Sequence, residues 1–284
     1  MKQTLPLAII FALPVLCSAA EIDQTQAATS SNNWNDAVLW NGSAPTTGNT
    51  YDTAGLPLVV YGNTDATPFN FAGDSLTIST GSDLQSRGSG SLRHWGGTII
   101  LAGGNLTTGL NDDTTIQVSG SLNIAEDSTV RFASSNDNVI FQFDAILSGS
   151  NRLTVSSGGA GNGILVNNAS STFDGAFRII GANSLSFGYD YTAADSTISL
   201  GSTGVLNLSQ AISVGAFERD GLDLSGLPTN TPLSYTDLVN FNGSLAGNLI
   251  DGGGTLSLIP EPSTYSLAFG LGALALGCVL RRRR

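Results

Sequence analysis

Few residues in this chain have the chemistry of a catalytic or metal site. His94 is the only histidine, set between Arg93 and Trp95. A lone imidazole has no second histidine for a metal pair, and as a general base it needs an orienting carboxylate. Its expected place is a turn, or packed on Trp95. Asp112-Asp113 and Glu126-Asp127 are adjacent carboxylates. Neighbours in a strand point to opposite faces, so neither pair converges on a metal or substrate unless coils bring them together. The run Gly158-Gly159-Ala160-Gly161-Asn162-Gly163 approaches a calcium-binding nonapeptide, but Gly163 stands where that motif has Asp, so the run reads as a turn. No phosphate-binding loop, dinucleotide fingerprint, HExxH or GxSxG occurs. These residues name no catalytic set, no metal site and no cofactor, and a non-enzymatic protein is expected.

The three tryptophans are the other candidates. Trp34 and Trp40 lie six residues apart, so on a strand both would share a face. Together with Trp95 they are candidate glycan contacts, since an exposed indole stacks on a sugar ring. The competing reading is that Trp34 and Trp40 cap the end of a β core.

Charge narrows the partners. The chain of 284 residues carries a formal net charge of -11. Between Glu21 and Pro260 there are six arginines and no lysine. A surface this acidic repels phosphate backbones, so no nucleic-acid partner is expected. The two cysteines, Cys17 and Cys278, both fall in apolar end segments, so the middle has no disulfide framework and no thiolate site. Hydrophobic residues make up 41% and glycines number 35, a mixture suited to β structure with many turns.

The elements that position these residues read as strands. Thr77-Ile78-Ser79-Thr80, Thr98-Ile99-Ile100-Leu101, Thr115-Ile116-Gln117-Val118 and Thr197-Ile198-Ser199-Leu200 are each followed by glycine and then leucine. The first three start 21 and 17 residues apart. Asp-Ser at 74–75, 127–128 and 195–196 adds turn chemistry ahead of strands. A period near 20 residues predicts an all-β, right-handed parallel β-helix or β-solenoid, with a β-sandwich as the alternative. No amphipathic helical period stands out between residues 21 and 260.

The two ends have their own grammar. Lys2, an apolar run over 5–16 and small residues at 18–20 form a secretory signal peptide cleaved after Ala20. Leu16 before Cys17 is too large for a lipobox. At the other end, residues 265–280 carry no charge and are followed by Arg281, Arg282, Arg283 and Arg284. A membrane helix needs about 20 apolar residues, with a lower bound near 17. The run is short for that, yet four terminal arginines form a cytoplasmic stop signal.

Pro260-Glu261-Pro262, the apolar run and the arginine cluster together resemble the PEP-CTERM sorting signal of Gram-negative bacteria. The resemblance implies recognition by an exosortase-type membrane protease, cleavage near the motif, and association with bacteria that make exopolysaccharide. Ser170 to Gly188 is similar to the autotransporter-associated β-strand repeat through Phe173, Gly175, Ile179, Gly181 and Leu185, with Ala176 where a second glycine is expected. That likeness implies a right-handed β-helix on the cell surface.

The expected organisation is a signal peptide over 1–20, a cap region over 21–68, a solenoid body over 69–259, and a sorting signal over 260–284 with a transmembrane helix at 265–280. The expected function is an exported cell-surface or extracellular-matrix structural protein, anchored in the membrane until processed. Its expected partners are the exosortase, the membrane and exopolysaccharide. The alternatives are a polysaccharide-binding module that uses the tryptophans and, on fold analogy alone, a β-helix polysaccharide lyase or hydrolase.

Overall fold

The computed structural model describes residues 19–259 except 66, 110–112, 134–135 and 157–158. Residues 1–18 of the expected signal peptide, Pro260, Glu261, Pro262, the run 265–280 and the four terminal arginines lie outside the described residues, as do both cysteines; Ala20, before the expected cleavage, opens the strand Ala20–Asp23.

The body is an all-β solenoid of about seven turns. Its strands form two hydrogen-bonded sheets, of 12 and 10 strands. By residue pairing they run as three parallel ladders. The first stacks 92–95, 115–118, Ile140–Phe143, Gly163–Val166, Ser184–Phe187, Val205–Leu208 and Leu249–Asp251. The second begins with Ala20–Asp23, Asn49–Asp52 and Ser75–Ser79, continues through 99–102 and 121–124 to Ile146–Ser148, and resumes at 191–193, 212–214 and Thr255–Leu258. Between those two stretches Thr172 N–H donates to the Leu147 carbonyl at 2.8 Å. The third stacks Leu58–Tyr61, Asp83–Arg87, Asn105–Thr108, Ser128–Arg131, Leu153–Ser156, Ala176–Ile179, 197–200 and 216–219. The only antiparallel strand pair among the described residues is Leu233–Ser234 with Thr255–Leu258, so the sandwich alternative does not hold.

The side-chain period of two makes this arrangement. Along the third ladder Leu58, Leu84, Leu106, Val130, Val155, Ile179 and Leu200 occupy equivalent rungs and all are buried. Phe141, Ile164, Leu185 and Leu206 do the same along the first. Each such side chain contributes about 1.5–3 kcal/mol on burial, which offsets the ordering of a body that contains no cysteine.

The repeat differs from the sequence expectation in period and alignment. Thr115 pairs with Ile140, Ile140 with Gly163, Gly163 with Ser184 and Ser184 with Val205, steps of 25, 23, 21 and 21 residues. Thr77 and Thr98 belong to the second ladder, Thr115 to the first and Thr197 to the third. The four Thr-Ile copies are therefore alike as strands without being equivalent rungs. Leu206 pairs with Leu249, a step of 43, because residues 220–248 leave the ladders. That excursion holds the one α-helix among the described residues, Tyr235–Phe241, capped reciprocally by Ser234 and Asp237. Seven residues are too few to show a helical period in sequence.

Candidate functional site: a charged groove and the carboxy-terminal motif

The tryptophans do not form a glycan surface. Trp34, Trp40 and Trp95 are 0%, 1% and 0% exposed. Trp34 and Trp40 sit in turns around a short 3-10 helix, Ala37–Leu39, rather than on one strand. Trp40 Nε1 donates to the Trp34 carbonyl at 2.7 Å. The Trp34 ring meets the Trp95 ring edge-on at 5.6 Å, and Phe71 packs against Trp34, Trp40 and Tyr51. Aromatic payload is worth most when removed from water, so this cluster closes the amino-terminal end of the core. No indole face is left for a sugar.

His94 lies in the strand Leu92–Ala102 rather than in a turn. Asn63 exchanges two backbone hydrogen bonds with it, at 2.7 and 2.9 Å. Its ring is buried with neither nitrogen hydrogen-bonded. Beside it, Arg93 is 1% exposed; only Nη1 has a partner, the Ser86 carbonyl at 3.3 Å. Burial holds the Arg93 guanidinium below its ordinary pKa.

The paired carboxylates stay apart. Asp127 holds Arg152 through Nη2 at 2.7 Å and through the backbone N–H at 2.9 Å. Asp113 accepts from Asn138 Nδ2 at 3.0 Å, at the corner between the third and first ladders. Asp112 lies outside the described residues. Asp127 sits at the corner between the second and third ladders. Among the described residues no cluster of three or more His, Cys, Asp or Glu could hold a metal ion. Residues 159–161 form a bend before Asn162, whose Oδ1 accepts from Val139 N–H at 2.8 Å while its Nδ2 donates to the Asn136 carbonyl at 2.8 Å. Asn136, Asn162 and Asn183 are all buried at this corner. Sequence reasoning missed them. The available signal was asparagine immediately before the strands Gly163–Val166 and Ser184–Phe187.

A groove of about 700 Å³ lies on the outer surface of the third ladder. Its floor is a row of outward residues in register: Val59, Gln85, Thr107, Arg131 and Ser156. Asp83 and Arg87 flank the row, and Ala28 and Pro57 close its amino-terminal end. That end is built by a strap over 24–33. Gln24 Nε2 and Ala28 N–H both donate to the Pro57 carbonyl at 2.9 Å, and Tyr61 N–H donates to Asn33 Oδ1 at 3.3 Å. Asp83 accepts from Arg131 Nη2 and from Asn105 Nδ2, each at 2.8 Å. Arg87 Nε donates to Gln85 Oε1 at 2.7 Å. Two guanidiniums and one carboxylate line the groove.

The body ends where the sorting signal begins. Ile259 N–H donates to the Val214 carbonyl at 2.8 Å, and Asn230 N–H donates to the Leu258 carbonyl at 2.8 Å. Residue 260 is a proline, which has no N–H to donate. Among the described residues no helix is long and apolar enough to cross a membrane. No curated protein and no solved structure matches the chain. Residues 258–284 match the PEP-CTERM protein-sorting motif, which indicates a protein sorted to the cell surface by exosortase, a membrane protein.

Proposed function

We propose that this chain is a non-enzymatic structural protein of the cell surface or extracellular matrix, and that its solenoid associates with exopolysaccharide. The observation that carries this reading is the junction at Ile259: a cross-coil hydrogen-bond ladder runs up to the sorting motif with no linker between them. Signal-peptide cleavage after Ala20 leaves Glu21 inside the first strand of the second ladder, so export and folding are compatible. The run 265–280 holds the chain in the membrane until exosortase acts. The likeness of 170–188 to autotransporter-associated repeats supports display of a right-handed β-helix outside the cell. Residues 153–156 and 176–179 stack there as rungs, with Phe173 packed 4.7 Å from Phe177.

Cell fractionation tests the reading. The expected result is a shortened chain on the surface or in the matrix, co-purifying with exopolysaccharide. Recovery of the unshortened chain in the cytosol would refute export, and a surface chain that washes free of polysaccharide would refute the association.

A further inference from the structure

The chain is acidic, yet cations converge in the groove of the third ladder. Arg93 is buried, Arg152 and Arg178 are ion-paired, and Arg219 donates to Asn248 Oδ1 and to two backbone carbonyls. The other two body arginines, Arg87 and Arg131, both line the groove. Arg131 gives one amine to Asp83. Arg87 gives only Nε, to Gln85, and its two terminal amines have no partner among the described residues. Among the described residues the groove thus carries one negative and two positive side chains on a chain of net charge -11. Against an acidic background, a local pair of guanidiniums attracts an anion to the groove.

The floor says what kind of anion. The strands bearing Gln85, Thr107 and Arg131 are hydrogen-bonded on both edges. The outer edge of Leu58–Tyr61 is covered by the strap. No free edge remains for a peptide to add as a strand. Recognition must come from side chains repeated along the solenoid axis. Val59 is buried beneath the closed end. Coils advance about 4.8 Å each, so the three steps from Gln85 to Ser156 span about 14 Å, the length of a short oligosaccharide.

We infer that this groove binds an acidic glycan, with Arg87 and Arg131 taking its carboxylates and Gln85 its hydroxyls. The inference rests on the proposed association with exopolysaccharide and locates it. Guanidinium forks match carboxylates in bidentate geometry.

Calorimetric titration of the full chain in detergent micelles with a galacturonate hexamer tests it. A glucose hexamer and a polyglutamate of similar length are the competing probes. The expected result is selective binding of the galacturonate, weakened by added salt. R87Q should reduce affinity about tenfold, and R152Q, outside the groove, should leave it unchanged. D83N frees Arg131 and should raise affinity a few-fold, a gain that misfolding cannot mimic. Equal or better binding of the glucose hexamer or of polyglutamate would overturn the inference. So would galacturonate binding indifferent to R87Q and D83N, or no binding at all. If exopolysaccharide from the producing cells binds the wild type and R87Q equally, the groove is refuted while the association stands. If that polymer does not bind the wild type either, both fall.

Discussion

The amino-terminal coils and the middle coils solve the same interior problem differently. Between 34 and 95 the core is closed by large aromatics and leaves buried polar atoms unpaired: Trp34 Nε1, Ser86 Oγ, Arg93 Nε and Nη2, both ring nitrogens of His94, and Trp95 Nε1. Between 136 and 187 the corner is closed by small amides. Asn162 bonds the coil before it with both ends of its side chain. Asn136 Nδ2 reaches Thr108 Oγ1 at 3.0 Å. Asn248 repeats the device at the far end, donating to the Gly204 carbonyl at 2.7 Å. The amide corner leaves fewer such atoms, Asn136 Oδ1 and Asn183 Oδ1. An unpaired buried polar atom costs about 1–3 kcal/mol, so the first solution spends more of its burial on desolvation than the second. In a solenoid each coil contacts only its neighbours, so such local differences are not averaged over the molecule. The amino-terminal coils should open first.

The sharpest way to break this comparison is at Asn162. Asn162→Leu leaves Val139 N–H and the Asn136 carbonyl without partners, and should cost about 2–5 kcal/mol in urea unfolding. A loss under about 0.5 kcal/mol would show that the corner does not depend on its amide. Arg93→Met should have the opposite sign. It replaces a desolvated guanidinium by an apolar chain of similar length, and a gain of about 1–3 kcal/mol is expected. Destabilisation would mean that Arg93 is better solvated than its burial implies.

Tyr191 supplies a pH test within the second region. Its hydroxyl donates to the Phe173 carbonyl at 2.7 Å, and its ring stacks on Phe187 at 4.4 Å. Burial raises its pKa well above the ordinary 10.0. The folded chain therefore holds the neutral phenol, and this contribution is present below pH 10 and is lost as pH rises through and beyond it. Alkaline unfolding followed by circular dichroism should be shallower above pH 10 in Y191F than in the wild type. The smallest effect is expected on the surface. Arg152 and Asp127 are 54% and 56% exposed, so Arg152→Gln should change stability by no more than about 1 kcal/mol in either direction.

Sequence carried the class of fold because alternation of apolar and polar residues writes strands directly. Ile116 and Val118 point inward while Thr115 and Gln117 do not. It did not carry the register. The Thr-Ile copies lie in strands on three different ladders, and the turns between them differ in length, so a period read across them mixes ladders. The tryptophans misled for a related reason: spacing gives a shared face only on a strand, and Trp34 and Trp40 are on turns. The groove was illegible because Asp83, Arg87 and Arg131 converge only through stacking of coils. Asp83 and Arg131 are 48 residues apart. The carboxy-terminal motif was legible because it is linear: a membrane enzyme reads the order of residues, and so can a reader of the sequence.

The central claim is an exported solenoid released at a boundary set by its own ladder. Intact-mass measurement with terminal sequencing of the protein recovered outside the cell tests it most directly. The account predicts a chain that begins at Glu21 and ends close to Pro260-Glu261-Pro262, with no arginine cluster. Recovery there of a chain still carrying Arg281 to Arg284, or of one cut within the 255–259 rung, would contradict it.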